Sequence, residues 1–186
     1  DEAGSIEVTL TFPMPVAATL YRLEARIGDR TLTAVAQARG EARSTYESAV
    51  DRGLLAVLHE ELLRGIHMLS IAHVPPGAEI VVTADWASTL TILDAAGHLR
   101  IPLTVGDVYG RSGLPDSDDL IGGGPPQLAT VAVRSDAALV RLRGGALVDG
   151  RATVRMNAPI DIEVAGWTSR ELSGRAADGR QVRLRV

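Results

Sequence analysis

A mainly β fold, a β-sandwich with one crossing α-helix plus a smaller C-terminal β-segment, is predicted by three features of this 186-residue sequence. Apolar and polar residues alternate with period two in run after run, the pattern of half-buried strands. One stretch alone switches to the helical period. The 19 Gly and 9 Pro residues fall largely between the runs, where a sheet must turn.

Each element follows from its own residues. Ile6, Val8, Leu10 and Phe12 oppose Glu7, Thr9 and Thr11, and Pro13 ends that strand. Residues 18–27 alternate again, with Tyr21, Leu23, Ala25 and Ile27 opposite Arg22, Glu24 and Arg26. Gly28-Asp29-Arg30 is a turn, and Thr31 to Gln37 forms a third strand. Ala42, Tyr46, Ala49 and Val50 then fall at i, i+4, i+7 and i+8, which predicts an amphipathic helix from Arg39 to Arg52 stopped by Gly53. Leu54–Leu62 and Gly65–Val74 are apolar on both faces, as central strands are. After the forced turn Pro75-Pro76-Gly77, a long strand runs from Ile80 to Ile92, and His98–Val105 adds a short one. Later bursts at Thr130–Arg134, Ala138–Arg143, Arg151–Met156, Ile160–Gly166 and Gln181–Val186 make up the C-terminal segment. The resulting organisation is a domain at residues 1–109, a Gly/Pro/Asp linker at 110–127, and a β-rich segment at 128–186.

Composition excludes several chemistries. Cys is absent, which removes thiol nucleophiles, disulfides and thiolate metal sites. Lys is absent too, since all 19 basic residues are Arg, so no Walker A loop or lysine Schiff base exists. This usage, rich in Ala, Val and Leu, is expected of a GC-rich genome and suggests a bacterial source. The net charge of −4 offers no basic footprint for nucleic acid. No apolar run is long enough to insert in a membrane, and no signal peptide is expected in the stretch after Asp1.

Ordered residues then carry a resemblance. Phe12-Pro13-Met14-Pro15, the strand ending Ile27-Gly28-Asp29-Arg30, the helix with Ala42, Tyr46 and Ala49 before Gly53, Leu58-His59-Glu60, Val74-Pro75-Pro76-Gly77 and the strand reaching Trp86 and Leu90 recur in order. Together they resemble a VIT domain, the vault protein inter-alpha-trypsin domain, over Ile6 to Tyr109. Pro159 to Trp167 resembles the strand closing the segment that precedes a von Willebrand A domain in long family members. The D-x-S-x-S metal pattern of such a domain is missing here. The family opens with a further strand pairing with Ile6–Phe12, and only Asp1 to Ser5 precede it. The resemblance therefore implies a trimmed piece of a larger protein with an open edge at Ile6–Phe12, suited to strand addition. It also implies a non-catalytic protein-interaction or scaffold module beside a von Willebrand A domain, exported or at the cell surface, in adhesion or surface assembly. No cofactor is implied.

Candidate site residues are few. The alternative function is a metal- or ligand-binding sandwich using His59, Glu61 and His67, weighed against histidines that simply satisfy hydrogen bonds. His67 and His73 share a strand face but lie ~20 Å apart along it, beyond one metal ion. Asp116, Asp118 and Asp119 lack EF-hand spacing. Ser112 in Gly110-Arg111-Ser112-Gly113 is no nucleophile elbow, so no catalytic residue is assigned. Arg141, Arg143, Arg151 and Arg155, joined by Arg183 and Arg185, alternate outward on strands expected to be adjacent, a candidate face for an acidic partner. Phe12, Tyr46, Trp86 and Trp167 are expected to fill cores, with Tyr46→Ala costing ~3–5 kcal/mol as a core truncation.

Overall fold

The computed structural model describes residues 4–110, 127–166, 171–175 and 180–185. It is mainly β with one main helix. The chain divides into two compact units, Asp1–Thr89 with Arg100–Gln127 and Met156–Pro159, and Leu90–Leu99 with Leu128–Arg155 and Ile160–Val186.

The first unit contains β1 (Ile6–Pro13), β2 (Thr19–Ile27), β3 (Arg30–Thr33), α1 (Arg39–Asp51), β4 (Ala56–Leu63), β5 (Ile66–Val74) and β6 (Ile80–Ala87), with the short α2 (Val105–Tyr109). Two antiparallel three-stranded sheets form, ordered β1-β5-β4 and β3-β2-β6. They face each other through Leu23, Ala25 and Ile27 of β2 and Leu69, Ile71 and Val74 of β5. Val8 and Phe12 from β1, Val57 from β4, and Ile80, Val82 and Ala84 from β6 pack against this cluster. The sandwich follows directly from period-two alternation, which aims every second side chain at the opposing sheet.

Several expectations need correction. β4 is an edge strand, not a central one, and its end, Glu61 to Leu63, is exposed. Within this sheet β5 is the strand with a neighbour at each edge, and its residues are almost all buried. β3 stops at Thr33 because the chain must leave the sheet to begin α1 at Arg39. β6 ends at Ala87 rather than Ile92. Beyond it, Asp94 and Ala95 take φ values of 48° and 60°, making a tight hairpin turn without glycine, and so giving no turn signal in the sequence. Residues after Ile101 turn into α2, where Thr104 and Asp107 form a capping box: Thr104 Oγ1 accepts from Asp107 N at 3.0 Å, and Asp107 Oδ2 accepts from Thr104 N at 2.9 Å.

In β5 the register also slips. Between the pairs Ile6↔Val74 and Val8↔Ile71, Glu7 alone stands opposite Ala72 and His73, and His73 has φ 55°. This bulge lets both Ile71 and Val74 reach the core and separates the faces of His67 and His73, which plain alternation would have shared.

The second unit holds β7 (Thr91–Leu93), β8 (Ala96–Ile101), β9 (Leu128–Ala132), β10 (Leu139–Leu142), β11 (Arg151–Arg155), β12 (Ile160–Ala165), β13 (Glu171–Arg175) and β14 (Gln181–Arg185). Its sheets are β10-β12-β8-β7, β11-β9 and β13-β14. Leu142, Ala152, Val154, Ile160 and Ile162 are its buried apolar residues.

The β4–β5 turn is pinned to the end of β1. Met14 N donates to Gly65 O at 2.8 Å, and a Cβ at Gly65, where φ is 77°, would stand 2.9 Å from Met14 O. Gly65→Ala therefore combines left-handed strain with a backbone clash and should cost about 2 kcal/mol or more. Gly53→Ala, at φ 69° but in open space, carries the strain alone and should cost about 1 kcal/mol. Urea unfolding of the two variants measures the difference.

Candidate functional site

The helix α1 has no fully buried residue. Its stripe Ala42, Tyr46, Ala49 and Val50 is half-buried, so polar contacts hold much of it in place. Arg39 and Arg43, one turn apart, converge on the Glu60 carboxylate of β4, whose side chain is only 6% exposed. Arg43 Nε lies 2.8 Å from Glu60 Oε1, and Arg39 also donates to the Glu61 carbonyl at 2.8 Å. Tyr46 reaches across the sheet and donates to Glu7 Oε1 at 2.9 Å. Burial, with the Glu7 carboxylate behind it, pushes the Tyr46 phenol well above its usual value. At the far end of the helix, His73 Nε2 donates to the Val50 carbonyl at 2.9 Å, leaving Nδ1 to accept from Ser5 Oγ at 3.2 Å.

Beside the helix a groove of ≈ 680 Å³ opens between α1, the start of β2, the crossing segment 34–37 and the edge strand β4. Leu20, Leu23, Val57 and Tyr46 give it apolar walls, and His59, His67 and Glu61 line its polar end. A smaller apolar slot of ≈ 190 Å³ between Leu32 of β3 and Val57 of β4 shares the His59 side. His59 and His67 lie diagonally across the β4–β5 ladder, because His59 pairs with Leu69 and Glu61 with His67. Their rings stack 5.1 Å apart, with His59 Nε2 at 3.0 Å from His67 Nδ1. Phe12 of β1 stacks on His67 at 5.6 Å and on His59 at 6.3 Å. Burial lowers the pKa of both histidines; for His59 the neighbouring His67 adds to the drop, while Glu61 pulls both the other way.

The structure thus brings His59 and His67 together but leaves Glu61 out of any ligand set, since its Oε1 accepts from Gly65 N at 2.8 Å. Among the described residues no three His, Cys, Asp or Glu side chains gather to hold a metal ion. A metal-binding reading is not favoured. Of the residues expected to fill cores, Phe12 packs on the cluster and on the histidines, whereas Tyr46 and Trp86 are half-buried and do not belong to it. Trp167, Ser112 and the aspartates at 116, 118 and 119 lie outside the described residues.

The arginine face is corrected. β10 pairs with β12 and β11 with β9, so the four arginines belong to two sheets rather than adjacent strands of one. Arg141 meets Glu163 at 3.2 Å and Arg143 meets Asp161 at 3.8 Å across the β10–β12 ladder, which neutralises them. Arg151 and Arg155 have no carboxylate partner among the described residues and remain exposed. The contacts that Glu60, Glu7 and His73 make with the helix gave no signal in the sequence, because a polar residue in a strand run is not marked as a contact until its distant partner is known. Arg39 and Arg43 at helical spacing were the one local hint.

Removing the helix contacts should loosen α1 selectively. Glu60→Gln should cost about 1–3 kcal/mol through two arginines left without their carboxylate. Tyr46→Phe should cost about 1 kcal/mol for the lost bond to Glu7. Tyr46→Ala, at a half-buried site, should fall below the ~3–5 kcal/mol of a core truncation. Chemical unfolding with helix amide exchange reads all three.

Comparisons with known proteins find relatives of part of this chain. The family model of the vault protein inter-alpha-trypsin domain matches residues 1–85. Mouse von Willebrand factor A domain-containing protein 5A is 31% identical over 102 residues, 54% of this chain and 13% of that protein. Its human counterpart is 29% identical over 117 residues, 61% of this chain and 15% of that protein. Human protein mono-ADP-ribosyltransferase PARP4 is 27% identical over 100 residues, 54% of this chain but 6% of that protein. The chain thus spans only a small part of the length of these relatives. No solved structure gives a significant match. Residues 1–85 of this chain thus match the vault protein inter-alpha-trypsin (VIT) domain family, the family its ordered residues resemble.

Proposed function

We propose that the chain is a non-catalytic protein-interaction module that works beside a von Willebrand A domain of a longer protein, in adhesion or surface assembly at an exported or cell-surface location. The family match and the relatives' von Willebrand A names support the pairing. The observation that carries the interaction role is β1. It pairs with β5 at one edge and has no strand neighbour at the other among the described residues. Ile6 and Leu10 alternate with outward-facing Glu7 and Thr9, so they share the side of Val8 and Phe12, yet they are 59% and 43% exposed. An added strand beside β1 would gain backbone hydrogen bonds and cover these two apolar side chains. No Lys, Arg or interior Pro protects that edge. The Lys-free composition supports a bacterial source.

The test is calorimetric titration of this chain with the von Willebrand A domain encoded in the same gene. Association is expected, and Ile6→Lys with Leu10→Lys should weaken it about tenfold or more while leaving the fold intact. A gene encoding no such domain, or binding indifferent to both substitutions, would overturn the reading.

A further inference from the structure

His59 and His67 serve no role in the proposal above, yet their geometry is specific. A contact of 3.0 Å between two imidazole nitrogens holds one proton and no more: one ring donates and the other accepts. The neutral pair meets that condition. So does the pair with one extra proton, if it sits on His59 Nδ1 or His67 Nε2, outside the shared contact. A second extra proton removes the acceptor. Two N–H groups then face each other 3.0 Å apart on two cations, and the contact must break.

We propose that the His59–His67 pair is a proton-operated latch that holds the edge strand β4 closed against β5 and opens it when both rings are charged. The surroundings decide which ring moves. His67 is 6% exposed and held by stacking on Phe12, so it stays. His59 borders the groove and sits on a strand that is hydrogen-bonded along one edge only, so it swings out. Its departure uncovers one face of His67 and the Phe12 ring beside it, giving the groove a different apolar floor at acid pH. The latch is separate from the β1 edge and does not depend on what binds there.

Charged groups around the pair set the threshold. On β4, Glu61 favours protonation of both rings, and Glu60, on the opposite face under Arg39 and Arg43, favours that of His59. On α1 the groove presents Tyr46, and on β2 Tyr21 and Arg22, the latter paired with Asp85 and Glu24. β1 contributes the uncharged Phe12. Burial outweighs the carboxylates, so both rings bind protons less readily in the folded protein than in the unfolded chain. The unfolded chain therefore takes up more protons as pH falls. The latch stabilises fully above the ordinary imidazole value of ~6.5, and that stability is lost as pH drops below it.

The test is a histidine ¹⁵N NMR titration from pH 7.5 to 4.5, with amide exchange on β4 corrected for intrinsic rates. Two coupled steps, both below the ordinary value, are expected for His59 and His67. Amides of Val57 to Glu61 should lose about tenfold or more of their protection across the second step, while β2 keeps its own. His59→Gln, which cannot be charged, should abolish that acid-dependent loss and leave His67 a single step. Independent titration of the two rings at ordinary values would overturn the latch, as would β4 protection that does not change with pH. If the variant fails to fold, the native titration alone decides.

Discussion

Everything in the first unit depends on β5 being enclosed. It is the central strand of its sheet, its core side presents Leu69 and Ile71 to Leu23, Ala25 and Ile27 of the opposing sheet, and its other side is buried at Ser70 and Ala72. A strand so placed cannot shift register by one residue without exchanging its buried and polar sets. That constraint positions β1 and β4 on either side, and through them the groove, the helix contacts and the histidine pair. The bulge at His73 is the adjustment that lets the strand keep its apolar residues inward to its end.

The helix is attached in a different way. With no fully buried side chain, α1 gains less from apolar burial than a core helix would. Its position is instead specified by directional contacts: two arginines on Glu60, Tyr46 on Glu7, and Val50 O on His73. These reach all three strands of the sheet. Such contacts add modest stability each but define where the helix sits, and with it the groove wall formed by Ala42, Tyr46 and Ala49. The histidine pair at the groove's end is the complementary case, a part-buried polar contact whose satisfaction depends on the number of protons present.

Much of the fold was legible because its signals are local. Alternation placed β1, β2 and β6 by their apolar residues, and the spacing of Ala42, Tyr46, Ala49 and Val50 placed α1. Where the reading erred, the deciding signal was weak or distant. The turn at Asp94-Ala95 uses positive φ without glycine, and the run Leu54–Leu62 is apolar although β4 ends in solvent. The arginine face looked continuous because alternation shows which side a residue takes within its own strand, not which strand lies next to it.

The sequence by itself determined the main helix, most strands of the first unit and the family resemblance, since these rest on residue type and spacing along the chain. It also settled the absence of thiol and lysine chemistry, which needs only the residue inventory. Tertiary structure decided what depends on register between distant segments. It joined His59 to His67, turned His73 away to the helix, gathered Arg39 and Arg43 on Glu60, and set Arg141 and Arg143 against Glu163 and Asp161. No spacing rule encodes those meetings, because a one-residue slip in a ladder would leave every local pattern intact and undo the contacts that cross it.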